Sequence, residues 1–485
     1  MNAEDDCKIL TYEELQAHVR AFAFSLTLKI VLPAAFIWVL SMTLGAVVAH
    51  SATFTSAADA VQAVEGFNYV LTQHDDGTVS AATAGRNGNG KLNESLPDLV
   101  VYKGMVSYGD YPFGSVYEVA FPDLRTSALG AKLEISVAEG TVEVTHDNTF
   151  MHDNGDVTWV GASDYEGTNF RTILTSFDGG VMGSIKTPTN TYLIESDQGH
   201  TYLIDTNAAG LSAHDIDEGG AALPTAGATS TPLVILPKST AATTTTTTTS
   251  LTTIDTFYYV GTGFGVTPTG VNQSATRLNY LVSVGNQGLK DSGLNAQIRV
   301  VGTKAWADNP ATNNNNLLVN LYASVSGKAE RQSIISTYKA DEIIYLRSFR
   351  YAQGSCGVHF INGGNGTSLV QAGALGIVSD GKDGAYYCQD VTLIHEHGHG
   401  LGLVHDREYA YGTVGYKSWA YAWGVAGKYA TIMSYKQPMV TKFASPSLKC
   451  TTAGDPCGYS QTDTARSSDQ VSVLKLTIPM VAAFK

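Results

Sequence analysis

Histidines recur in one short stretch of this 485-residue chain at intervals that suit metal chemistry. His395, His399 and His405, with Glu396 and Gly402 between them, spell HExxHxxGxxH. Residues four apart stack on one face of a helix, so His395 and His399 present two imidazoles to a single ion. A straight helix delivers no third ligand to that point. Gly402 tolerates the left-handed backbone that ends a helix and turns the chain back, which brings His405 in. Three imidazoles with an open fourth position are the donor set of catalytic zinc. Zinc so held lowers the pKa of water to about 7 and polarises a carbonyl, and Glu396 is then placed to act as general base. His397 falls about 200° round the helix from His395 and is not counted as a ligand.

The same spacing is the zinc signature of the metzincin metallopeptidases, which this chain resembles. Asp406, directly after the motif, resembles the adamalysin (reprolysin) branch, and Thr431-Ile432-Met433-Ser434-Tyr435 resembles the Met-turn of the family. ADEIIYLR at 340–347, SCGVHF at 355–360 and FASP at 443–446 are similar to segments of secreted bacterial reprolysin-like proteases, and the likeness covers roughly 254–485. It implies a metzincin-type α+β domain, a mixed twisted sheet with a zinc helix. Met433 would pack beneath the metal and Asp406 would support the turn. An extended peptide would lie antiparallel to an edge strand, and residues 436–443 would line the pocket for the residue after the cut. Tyr435 instead matches the astacin-like and serralysin-like branches. It stands as a candidate fifth ligand, a transition-state donor or a wall of the pocket.

The pattern of the chain supplies elements to carry these residues. From Ile254 onward, strands at 254–261, 296–303, 340–347 and 374–379 alternate with helices at 271–286 and 390–401, which suggests an α/β lobe. Asn313 to Asn316 reads as a loop. GTGFG at 261–265 lacks GxGxxG spacing, which discards a nucleotide site. Residues 50–236 read as an all-β region, with hairpin turns at Asp76-Gly77, Asn154-Gly155, Asp178-Gly179 and Gln198-Gly199. TYLIES, TYLIDT and DVTWVG there resemble the β-rich propeptides of bacterial reprolysin-like proteases. His146-Asp147 and His152-Asp153 lack ligand spacing and read as solvated loop residues. No cysteine lies between residues 50 and 253. A propeptide that silences the site must therefore supply Asp, Glu or His to the metal, or cover the cleft.

Between the two regions, 237–253 contains seven consecutive threonines, Thr243 to Thr249. It reads as a linker, either a processing site or a passive tether. Residues 1–49 end in twenty uncharged, mostly apolar residues, 30–49, preceded by Arg20 and Lys29 but also by a net acidic tail. The expectation is an export signal, with a signal anchor or a buried core helix as alternatives. Four cysteines, Cys356, Cys388, Cys450 and Cys457, fall in the 254–485 region and are expected to form two disulfides. Cys356–Cys388 with Cys450–Cys457 is the favoured of three pairings. A net charge of −14 argues against nucleic-acid binding.

Together these readings describe a secreted, monomeric zinc endopeptidase acting on proteins or peptides, touching a membrane only through residues 30–49 if these are retained. Its rivals are a catalytically silent adhesin or envelope binding module and a zinc amidase on cell-wall peptides. Calcium is a candidate structural ion, although no EF-hand or RTX repeat is present.

Overall fold

The computed structural model describes residues 98–223 and 251–485, apart from 139, 215 and 217–219, together with the backbone of two strands before them. Those two, β1 (Tyr69–Gln73) and β2 (Val79–Thr83), pair antiparallel. Asp76-Gly77, the segment 30–49 and the whole run Thr243 to Thr249 lie outside the described residues. No helix among the described residues is long and apolar enough to cross a membrane.

The β-rich region contributes β3 (Asp98–Leu99), β4 (Val101–Met105), β5 (Val116–Ala120), β6 (Lys132–Val137) and β7 (Gly140–Met151). It continues with β8 (Val157–Tyr165), β9 (Thr168–Phe177), β10 (Gly180–Lys186), β11 (Thr191–Asp197) and β12 (His200–Asp205). These form a ten-stranded sheet in the order β3-β6-β7-β8-β9-β10-β11-β12-β5-β4, antiparallel except at β3. Asn154-Gly155, Asp178-Gly179 and Gln198-Gly199 close successive hairpins, the last with positive φ at both residues. Inside, Trp159, Leu174, Ile185, Tyr192 and Ile194 make one core.

Of the paired His-Asp sites, His152-Asp153 lies in the turn after β7 with Asp153 exposed, whereas His146 is not a solvated loop residue. His146 is buried, stacks on Trp159 at 4.9 Å and bonds the carbonyls of Ala128 and Asn148. His152 lies 2.9 Å from Thr158 Oγ1 and 3.3 Å from Ser283 Oγ. Apolar packing inside the sheet, which a sequence pattern alone does not display, draws the His146 ring inward.

The second region starts with β14 (Thr252–Gly261), so the last two residues assigned to the linker are strand. Then follow α1 (Ser274–Asp291), β15 (Ala296–Trp306), α2 (Asn314–Ala323), α3 (Val325–Tyr338) and β16 (Glu342–Ser348). β17 (Gly357–His359), β18 (Leu375–Asp380), β19 (Lys382–Asp383), β20 (Tyr386–Tyr387), α4 (Thr392–Gly400) and α5 (Gln470–Val481) complete the elements used below. The sheet runs β15-β14-β16-β18-β17, parallel throughout except for the antiparallel edge strand β17.

Several bounds differ from the sequence reading. α1 spans 274–291 rather than 271–286, β15 runs to Trp306 rather than 303, and the asparagine run is not a loop. Asn313 caps α2 by accepting a hydrogen bond from Asn316 N, which makes the other asparagines the first helical turn. Cys356 is bonded to Cys388, and Cys450 to Cys457.

The two regions belong to one compact unit, residues 53–485. β8, β9 and β10 bury both faces, one on their own core and the other on α1. Val160, Ile173 and Met182 share a cluster with Leu278, Val282 and Ile394. Residues on both faces of these strands, threonines and serines among them, are buried for that reason. Arg171 also grips Asp291 through two guanidinium nitrogens, beside Asn148 on Gln287.

Candidate metal centre

α4 is wholly buried along its length, from Thr392 to Gly400. Its start is held by the β-rich region. Asp390, two residues before the helix, accepts from Lys186 Nζ at 2.5 Å, Ser184 Oγ at 2.6 Å and Tyr280 Oη at 2.6 Å. Burial pushes this carboxyl up, but the Lys186 ammonium and those hydrogen bonds outweigh it and hold the pKa below the ordinary value. Its negative charge also suits the positive end of a helix.

The other end of α4 turns at Gly402, whose φ is +83°. A Cβ there would stand 2.7 Å from Tyr416 Cβ and 3.0 Å from the Asn362 carbonyl, so the turn needs glycine for space as well as for conformation. Leu403 N closes it on the Gly398 carbonyl at 2.9 Å. The chain then returns His405 to the helix. His405 Nε2 lies 3.1 Å from His395 Nε2 and 3.0 Å from His399 Nε2.

The donor chemistry fits a zinc ion. His395 Nδ1 faces the Ile432 carbonyl and His399 Nδ1 faces the Leu403 carbonyl, each at 2.9 Å. A carbonyl only accepts, so each Nδ1 carries the proton and each Nε2 keeps its lone pair for the common point. Among the described residues these three histidines form the one grouping of His, Cys, Asp or Glu compact enough for a metal, and no carboxylate cage for calcium accompanies them.

Glu396 is fully buried and lies under the edge strand. A Cβ on Gly357 would fall 2.3 Å from its Oε1. Met433 is fully buried, against Gly398, where a Cβ would meet its Sδ at 2.3 Å. Asp406 Oδ2 accepts from Tyr435 N at 3.2 Å, and burial pushes the Asp406 carboxyl up. The Tyr435 ring packs on His405, with centroids 4.3 Å apart.

His397, set aside as a ligand, points away as its helical position requires. Its Nδ1 meets Glu342 Oε2 at 2.5 Å. Burial pushes the Glu342 carboxyl up, but the flanking imidazoles of His397 and His359 hold it down at about 2. Glu342, His359 and Tyr258 were not singled out from sequence. They lie on separate strands, and their only trace there was the buried-looking segments that contain them.

The described chain between the two regions crosses the rim of this centre. β13 (Ser212–Ala213) pairs parallel with β20. Ala221 then bridges the end of the edge strand, its N donating to the His359 carbonyl and its carbonyl accepting from Ile361 N, both at 2.9 Å. A Cβ on Gly220 would come within 3.3 Å of His399 Cε1.

Comparison with known proteins agrees with this geometry. Residues 259–462 match the family described as metallo-peptidase family M12B reprolysin-like, and residues 117–209 match the BamI lipocalin-like domain. A peptidyl-Asp metalloendopeptidase of Pseudomonas aeruginosa is 27% identical over 234 residues, covering 43% of this chain. The match spans 36% of that relative's length. A structure described as a chaperone–substrate complex aligns over 74% of this chain and 43% of its own, at 18% identity and a TM-score of 0.38, too low to bear on the fold. The 259–462 region is thus a metzincin-like metallopeptidase domain of the reprolysin-like kind.

Proposed function

We propose that the chain is an exported, zinc-dependent endopeptidase, a monomer made as a precursor. The convergence of three imidazole nitrogens beside a buried glutamate carries this reading. His395, His399 and His405 hold the metal, which when bound polarises the scissile carbonyl and acidifies water. Glu396 takes the proton of the attacking water and passes it to the leaving amine. Once the Ala221 segment is displaced, β17 offers an edge along which an extended peptide pairs, backbone to backbone. Met433 packs as an apolar floor, Asp406 braces the Met-turn through Tyr435 N, and Tyr435 forms a wall of the pocket against His405. The name of the Pseudomonas relative puts aspartyl peptides first among substrates to try.

The β-rich region is a propeptide in this reading. No cysteine is available to it, and the segment through Gly220 and Ala221 covers the end of β17 where a peptide would sit. Cutting the threonine linker would leave the region docked on α1 until it is degraded.

The test uses the full chain before and after limited proteolysis. Casein hydrolysis is expected only after processing, lost to a zinc chelator, restored by zinc, and absent in Glu396→Gln with zinc still bound. A processed, zinc-loaded chain that cleaves no protein or peptide overturns the reading.

A further inference from the structure

Behind the zinc helix, on the side away from the converging imidazoles, lies a polar cluster that the hydrolytic chemistry leaves unused. Glu342 opens β16, and its two carboxylate oxygens face two different histidines. Oε2 meets His397 Nδ1 at 2.5 Å, and Oε1 lies 2.9 Å from His359 Nε2, off the ideal hydrogen-bond direction. His397 Nε2 is 3.2 Å from Tyr258 Oη, and His359 Nδ1 is 2.7 Å from the Phe360 carbonyl. All four side chains are essentially inaccessible to water. They come from four elements: Tyr258 from β14, Glu342 from β16, His359 from β17 and His397 from α4.

The placement of β17 explains what such a cluster does. The strand is three residues long, laddered to β18 on one side and bonded at its His359 carbonyl by Ala221 N on the other, and these bonds run within the sheet rather than towards α4. Residues two apart share a face of a strand. Gly357 and His359 therefore both face α4, and each makes a contact there. At 357 bare backbone rests on Glu396, and at 359 the imidazole reaches the carboxylate that also holds His397. Gly400 lets the last turn of α4 press onto the cluster, since a Cβ there would lie 2.4 Å from Glu342 Oε1 and 2.8 Å from His359 Cε1. A buried charged cluster is a poor way to gain stability, because desolvation offsets its attraction. What it supplies is a fixed distance.

We propose that Glu342 is a positioning residue, joining His359 to His397 so that edge strand β17 is held at a set height above the zinc helix. This rests on the peptidase reading: the strand's height decides where a peptide paired to β17 presents its carbonyl to Glu396 and the three histidines. A displacement of roughly 1 Å in such an arrangement lowers the rate on the order of a hundredfold.

The test compares wild type, Glu342→Gln, His359→Gln and the double variant, each as the full chain. After limited proteolysis, each is assayed on an extended casein-derived peptide and on a blocked dipeptide amide too short to pair with β17. Glu342→Gln is expected to lose roughly 10–100-fold in kcat/KM on the extended peptide. The dipeptide should stay within about threefold, and the zinc content per chain should not change. The double variant should be no worse than the poorer single, because the two residues act through each other. Equal losses on both substrates, or loss of zinc, would reduce the cluster to a structural role and overturn the proposal. Hydrogen exchange on the unprocessed chain reads the same property without turnover. Exchange across 357–361 should rise about tenfold in Glu342→Gln while α4 stays protected. Unchanged exchange there overturns the positioning role even if the wild type proves to hydrolyse nothing, so the two readings fail separately.

Discussion

Replacing Gly357 with alanine adds one methyl group to the edge strand at its contact with Glu396. The new carbon would stand 2.3 Å from Glu396 Oε1 and 2.7 Å from its Cγ and Cδ. Comfortable heavy-atom contact lies near 3.5 Å, so roughly 1 Å of movement is required. Glu396 is fully buried and has no solvent-filled space to enter, so the carboxylate, the strand or both must shift. Overpacking of this kind costs about 1–3 kcal/mol in stability, which a domain of this size survives. The catalytic consequence is larger. A general base displaced by roughly 1 Å from its working position loses about a hundredfold in rate, equivalent to about 2.7 kcal/mol of barrier. The assay is kcat on an extended peptide with the processed chain, alongside zinc content and a thermal midpoint. The expected result is a fall of about two decades in kcat with one zinc still bound and folding retained. A variant with kcat within about twofold of wild type would refute the reasoning, because the contact would then be slack or Glu396 not the base.

Two further predictions concern the ends of the zinc helix. Gly402→Ala combines an unfavourable left-handed φ with collisions against Tyr416 and Asn362, so His405 should be misdelivered. Zinc affinity, measured by competition with a chelator, should fall on the order of 10–100-fold, while the unaltered His395 and His399 retain some binding. At the other end, Lys186→Met strips Asp390 of its ammonium partner and should destabilise the full chain by about 3–5 kcal/mol at neutral pH. The Asp390 carboxyl is held below its ordinary value in the fold, so its contribution is present above the unfolded pKa of about 4 and lost as pH falls through the folded value. Acidification from about pH 5 to about pH 3 should therefore lower the denaturation midpoint of wild type more than that of Lys186→Met, and parallel curves would contradict the assignment.

Much of the metal centre was legible because it is written locally. His395, His399 and Gly402 act through helical period and turn conformation, which depend on neighbours along the chain. The hairpins at Asn154-Gly155, Asp178-Gly179 and Gln198-Gly199 were readable for the same reason. Their turn residues determine the backbone locally. The asparagine run misled because Asn serves loops and helix caps equally well, and only the hydrogen bond from Asn316 N to Asn313 separates the two. His146 misled because burial is a property of the packed sheet rather than of a His-Asp pair.

The sequence by itself picked out the histidine trio, the adjacent glutamate, the glycine that turns the chain, and the change from a β-rich to a mixed pattern. Only the tertiary structure decided what surrounds them. Glu342 and Tyr258 meet His397, and His359 meets Glu342, from three different strands, with sequence separations of 55 and 139 residues for the bonds made by His397 itself. Gly357 approaches Glu396, Ala221 bridges the edge strand, and Asp390 takes two of its three partners from β10, 204 and 206 residues away. Local rules fix the direction of a side chain relative to its own helix or strand. Which groups it then meets depends on the order of strands in the sheet and on two apolar faces closing over each other, and no short-range pattern encodes that.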